Sequence, residues 1–234
     1  MGYPKNRASR FCYKASTSLV SSVSSITLGL YQATLNIDFE GKERLLKLDA
    51  EGTNYIIAVW HTFVDVAVLA FHSRRLLIYS DHPRLDAYEK SSAHFFREVG
   101  IKTLRSHGFD VLDASHTKQS VGILNFIRKI KEGCPALIAP DGPNGPIYEA
   151  KPGSVYMAAK TGSVIVPVGI SVSRQITGPN WDDFAVPIPF SKIIAVIGEP
   201  IKPPQKPDAK VQQEYTYILE NSLDALCHQA NTLL

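Results

Sequence analysis

The chain has 234 residues, 44% hydrophobic and 20% charged, which excludes a disordered protein and leaves room for one sizeable core. A net charge of +3 is too small to argue for nucleic acid as a partner, although it suits an anionic membrane surface. Cys12, Cys134 and Cys227 are widely separated and show no metal-ligand spacing, and their odd count fits a reducing compartment better than a disulfide framework.

At the N-terminus, Lys5, Arg7, Arg10 and Lys14 precede Leu19, Val20, Val23, Ile26, Leu28 and Leu30, with serines and threonines interspersed. The pattern predicts an amphipathic helix over about 11–31. It either lies on a membrane surface or packs as a first helix on the core. No apolar stretch reaches the length needed to span a bilayer. The chain therefore divides into an N-terminal segment, 1–33, and a single domain, 34–234.

Residues 34–40 alternate apolar and polar, as an edge strand does. Residues 55–60 are continuously apolar and predict a buried strand, followed by a helix over 62–72 that begins just after His61. A strand over 75–80 and a helix over 84–99 come next, then a short strand at 108–113. Residues 117–132 predict an amphipathic helix with Val121, Leu124, Ile127 and Ile130 on one stripe and Gly133 as its stop. A strand at 135–139, a helix at 153–161 and strands at 163–172 and 193–198 follow, with Pro167 inside the second of these strands. The final helix spans 207–232. Alternation of this kind predicts an α/β fold, a single domain with a largely parallel central sheet flanked by helices.

Two places carry chemistry. His61 closes the apolar run Tyr55-Ile56-Ile57-Ala58-Val59-Trp60, and Asp65 follows four positions later. On a helix that spacing brings a carboxylate to the imidazole, which fixes its tautomer and makes the other nitrogen a general base. The second place is Pro140-Asp141-Gly142-Pro143-Asn144-Gly145-Pro146, a turn stiffened by three prolines and two glycines. Its free N–H groups, those of Gly142, Asn144 and Gly145, are placed to serve as an oxyanion hole. Lys151-Pro152-Gly153 then opens a helix, where a lysine meets an anionic group. No Gly-x-Ser-x-Gly elbow, Walker loop or Gly-x-Gly-x-x-Gly fingerprint occurs.

The ordered set of motifs resembles the lysophospholipid acyltransferase superfamily, and most of all its bacterial branch with Trp-His and Asp-Gly-Pro-x-Gly-Pro blocks. The set is Val59-Trp60-His61, Tyr79-Ser80, the stretch 108–120, the block 139–146, Lys151-Pro152-Gly153, Ile165-Val166-Pro167-Val168 and Gly198-Glu199-Pro200. The resemblance covers about residues 30–201. It implies an acyl transfer without a metal or other cofactor, from acyl-CoA or acyl carrier protein as co-substrate. The acceptor is the hydroxyl or amine of a membrane lipid, such as a lysophospholipid or a lipid A precursor. It implies His61 as base and Asp65 as its orienter. It places Ser80, Asp141, Gly142, Pro143, Asn144 and Gly145 at the acceptor site, with Lys118 and Lys151 as sources of positive charge. It also implies a peripheral protein at the cytoplasmic face of the inner membrane.

The chain departs from the superfamily pattern in three ways. Asp65 follows His61 by four positions instead of five, Asn144 stands where many relatives have arginine, and Asp113 or its neighbours replace another arginine. Two rival readings accompany this one: a catalytically silent lipid-binding or assembly protein on the same scaffold, and a soluble α/β hydrolase.

Overall fold

The computed structural model describes residues 7–72, 74–80, 89–113 and 119–234. Helix α1 (Arg7–Ala33) leads into strand β1 (Asn36–Glu40) and helix α2 (Lys42–Ala50). Strand β2 (Tyr55–Ala58) runs through a 3-10 turn, His61–Phe63, into α3 (Val64–Ala70) and β3 (Leu77–Ser80). Then come α4 (Glu89–Ser106), β4 (Asp110–Asp113), α5 (Gln119–Lys131), β5 (Ala136–Ile138), α6 (Gly153–Thr161) and β6 (Val164–Val172). A small hairpin, β7 (Gln175–Thr177) and β8 (Ala185–Pro187), precedes β9 (Lys192–Ile197) and α7 (Ala209–Thr232).

Seven strands form one sheet in the order β1-β9-β6-β2-β5-β3-β4. Pairing is parallel throughout except between β6 and β9. The expected α/β architecture with a largely parallel sheet is therefore the observed one, and β1 lies at an edge as its alternation predicts. Pro167 sits in β6 without harm. Its carbonyl points toward β9 and accepts from Gly198 N at 2.8 Å, so its missing N–H faces the level where β9 ends. Gly133, with φ of 96°, follows the end of α5 as expected.

The core has two layers because successive β2 residues point to opposite faces. Tyr55, Ile57 and Val59 pack with Leu45 and Leu48 of α2, Val66 and Ala67 of α3 and Ile101 of α4. Ile56, Ala58 and Trp60 pack with Phe126 and Ile130 of α5, Val155 and Ala158 of α6 and Leu219 and Leu223 of α7. The sequence pattern left α2 and the β7–β8 hairpin unassigned. On α5, Phe126, Ile127 and Ile130 are buried while Val121 and Leu124 are exposed, so only the second half of the expected stripe faces the core. Residues 84–88 of the helix expected over 84–99 lie outside the described residues.

Helix α7 lies unusually close to β6 because Gly169 has no side chain. A Cβ there would stand 2.1 Å from the carbonyl carbon of Leu226 and 2.3 Å from Cys227 N, both backbone atoms that cannot swing aside. Gly169→Ala is expected to destabilise the protein by about 3 kcal/mol, read as a lowered thermal midpoint. Gly100→Ala, at a helical site with open space around it, is the control and leaves the midpoint unchanged or higher.

Helix α1 packs along α4 with its polar face. Thr17 and Ser21 are buried, Lys102 Nζ donates to Thr17 Oγ1 at 2.7 Å, and the Ser25 and Ser106 hydroxyls are 2.6 Å apart. Leu19, Val23, Ile26 and Leu30 recur at helical spacing on the opposite face and are exposed, Leu19 by 68%. The helix is thus amphipathic in the inverted sense. Among the described residues no helix is long and apolar enough to cross a membrane.

Candidate active site

The site lies at the carboxyl end of β2, between β5 and β6, where open α/β sheets commonly bind ligands. β2 delivers Trp60 and His61, and β5 runs into the proline-stiffened turn beside them. Asp141, at that turn, is fully buried, and its carboxylate accepts from the backbone N–H of His61 at 3.1 and 3.3 Å. Burial pushes its pKa above the usual carboxylate range, and the N–H groups around it, including those of His61 and Tyr148, oppose that shift. The imidazole and the stiff turn are thus joined through the backbone.

The imidazole is oriented by a residue that the sequence pattern did not single out. His61 Nδ1 lies 2.6 Å from Asp182 Oδ2. A carboxylate at that distance holds the proton on Nδ1 and leaves Nε2 with its lone pair. The Asp182 side chain is 7% exposed and that of His61 33%, so the acid is enclosed while the base reaches solvent. Among the described residues Asp182 Oδ1 is buried with no hydrogen-bond partner, so the imidazole is what answers that carboxylate. Thr62 Oγ1 donates to the Asp182 carbonyl at 2.6 Å, and the Trp181 ring lies tilted against the imidazole with centroids 5.0 Å apart. Trp181 also closes over Gly145, where a Cβ would stand 2.5 Å from its ring, so only glycine fits there.

Asp65, the expected orienter, makes no hydrogen bond to His61 among the described residues. The reason is local geometry. His61–Phe63 form a 3-10 turn before α3 begins at Val64, so residues 61 and 65 do not stack as they would on one continuous α-helix. Asp65 remains within electrostatic reach. Although its surface meets solvent, surrounding protein raises its pKa, His61 opposes the rise and Asp182 adds to it.

Several other expected contacts are arranged differently. The N–H of Gly142 is taken by the Ala139 carbonyl at 3.1 Å, so it is not a free oxyanion donor. Asp141 is fully buried, with its carboxylate on the His61 backbone N–H. Lys151 Nζ donates to the Gly145 carbonyl at 2.6 Å, and Lys151 N to the Pro140 carbonyl at 2.9 Å, so this lysine closes the turn on itself. Pro143 and Asn144 are exposed at the tip of the turn. Ser80 ends β3, two strands away from β2, and its side chain is outside the described residues, as is Lys118.

Two residues with left-handed backbone lie here, Tyr148 and Asp183, with φ of 60° and 46°, a region that residues other than glycine rarely adopt. Tyr148 is held by an edge contact with Trp60 and lies 3.2 Å from Thr62 Oγ1. Beyond it a groove of about 330 Å³ opens between the end of β6 and α7, with Trp60, Phe63, Ile170 and Cys227 in its walls. Burial pushes the Cys227 thiol up to about 11, so it stays protonated and is a poor nucleophile near neutral pH.

Fold and site together define an open α/β protein with a His–Asp pair at the end of a central strand, backed by a buried carboxylate. The solved lysophosphatidic acid acyltransferase PlsC from Thermotoga maritima shares this fold, with a TM-score of 0.51 over 95% of this chain and 83% of that one, at 15% identity. The chain is also 26% identical over 187 residues to the uncharacterized protein RP090 of Rickettsia prowazekii (strain Madrid E), covering 76% of this chain and 81% of that protein. No protein-family model matches the sequence.

Proposed function

We propose that the protein is an acyltransferase that moves a fatty acyl chain from an acyl thioester to a hydroxyl or amine of a membrane lipid. The observation that supports this most is the His61–Asp182 contact of 2.6 Å, with the imidazole partly open to solvent, on a fold shared with a lipid acyltransferase. His61 Nε2 takes the proton of the acceptor O–H or N–H as its oxygen or nitrogen attacks the thioester carbonyl carbon. The carbon–sulfur bond then breaks, and the thiolate leaves with the proton that the imidazolium returns. Asp182 steadies the transient imidazolium, and Asp141 holds the backbone beneath it.

The donor is acyl-CoA or acyl carrier protein, and the acceptor is a lysophospholipid, a lipid A precursor or a related amphiphile. The work is done at the cytoplasmic face of the inner membrane. The outward stripe of Leu19, Val23, Ile26 and Leu30 seats α1 in the lipid interface, beside the basic residues Arg7, Arg10 and Lys14. The test is the purified full chain mixed with labelled acyl-CoA or acyl carrier protein and a bacterial lipid extract. Label is expected in a lipid product. Label that stays in the thioester, or appears only as free fatty acid, refutes the reading.

A further inference from the structure

The β7–β8 hairpin stands apart from the main sheet and carries an unpartnered apolar face. Ile176 and Val186 are directly paired across it, so their side chains share one side. Ile188, whose N–H extends the ladder to the Arg174 carbonyl at 3.0 Å, continues the alternation on that side, and Phe190 follows in the turn just after it. All four are exposed, Ile176 by 63% and Phe190 by 76%.

Two things distinguish this face from scattered surface hydrophobics. Phe190 holds a φ of 66°, a strained conformation that glycine would adopt freely, yet its ring packs into no core. Arg174 donates to the Phe190 carbonyl at 3.1 Å and is itself exposed, which sets a positive charge beside the aromatic ring. An apolar side chain next to an accessible cation suits an anionic lipid headgroup layer over a purely apolar protein partner.

The hairpin also joins the two parts already described. The Tyr31 hydroxyl at the end of α1 bonds the Pro187 carbonyl, and Phe190 N donates to the Thr34 carbonyl at 3.1 Å. Its connecting turn, closed by Gly178 N on the Phe184 carbonyl at 2.9 Å, is the segment that brings Trp181 and Asp182 to His61.

We propose that the face formed by Ile176, Val186, Ile188 and Phe190 docks on an anionic bilayer as a second lipid contact alongside α1. This deepens the acyl-transfer reading and rests on it for its purpose. The turn that joins the two hairpin strands is the one that carries Trp181 and Asp182 to His61, so a bilayer held against the hairpin is held by the same element that orients the imidazole.

The experiment is cosedimentation of the full chain with mixed phosphatidylcholine–phosphatidylglycerol vesicles. Ile176→Ser/Phe190→Ser is expected to weaken partitioning by at least about tenfold with an unchanged circular dichroism spectrum. Phe190→Gly separates binding from folding, because it is expected to raise the thermal midpoint while still weakening partitioning. His61→Gln is expected to partition like the wild type, so a failure of acyl transfer and a failure of docking are read independently. Hairpin variants that bind these vesicles as tightly as the wild type would overturn the proposal. So would a wild-type dimer in sedimentation velocity that Phe190→Ser dissolves without any change in vesicle binding.

Discussion

Replacing His61 with Gln is expected to lower acyl transfer by about a thousandfold or more, with the fold retained. The amide still offers a donor to Asp182, whose carboxylate lies 2.6 Å from the imidazole in the native protein, but it has no basic nitrogen to take the acceptor's proton. His61→Ala is a less clean change. It strips the enclosed Asp182 of its ring partner, and an unpaired buried carboxylate costs stability of its own. The pair of variants therefore separates chemistry from folding. Both lose turnover, and Ala alone lowers the thermal midpoint appreciably. Steady-state transfer from a labelled donor, measured beside a melting curve, checks both statements. Near-native turnover in His61→Gln would remove the general base from the mechanism.

Asp182→Asn is expected to lower kcat by about a hundredfold or more while leaving KM for the donor nearly unchanged. The side chain keeps its shape and its place beneath the loop, since Thr62 bonds the backbone carbonyl of residue 182 and not its carboxylate. An asparagine there offers its own N–H to Nδ1 as readily as it accepts, which lets the ring proton move to Nε2 and blocks the base. It also leaves the transient imidazolium without a counter-charge. Asp65→Asn, by contrast, is expected to cost less than about tenfold, because Asp65 influences His61 through its field and not through a hydrogen bond. The reverse ranking, with Asp65→Asn the more damaging, would return the orienting role to the carboxylate four positions after His61.

The contrast between these two aspartates shows where sequence reasoning reaches and where it stops. Asp65 was visible because helical spacing is a local rule, but the chain leaves β2 through a 3-10 turn before α3 starts, and the spacing does not become a hydrogen bond to His61. Asp182 lies 121 residues from His61, in an irregular turn of a hairpin whose strands are three residues each and carry almost no periodic signal. Its only local mark is an aromatic and two acids together, Trp181-Asp182-Asp183, after a Gly-Pro-Asn bend. The proline-stiffened block was legible as a rigid element beside the histidine. Its role was not, because whether Asp141 faces outward or backs onto the His61 amide depends on packing against Tyr148 and on the neighbouring strand. Lys151 likewise looked like a free cation and is spent on the Gly145 carbonyl.

Residue order alone was enough for the alternation of strands and helices, the buried central strand that ends at His61, the Gly133 stop and the amphipathic character of the first helix. Each rests on a period or a backbone preference expressed within a few residues. Chain folding settled which way α1 turns its apolar stripe, which carboxylate meets the imidazole and which N–H groups of the stiff turn stay free. Those outcomes depend on contacts between segments far apart in the chain, where burial and hydrogen-bond satisfaction select one arrangement and no local pattern records the choice.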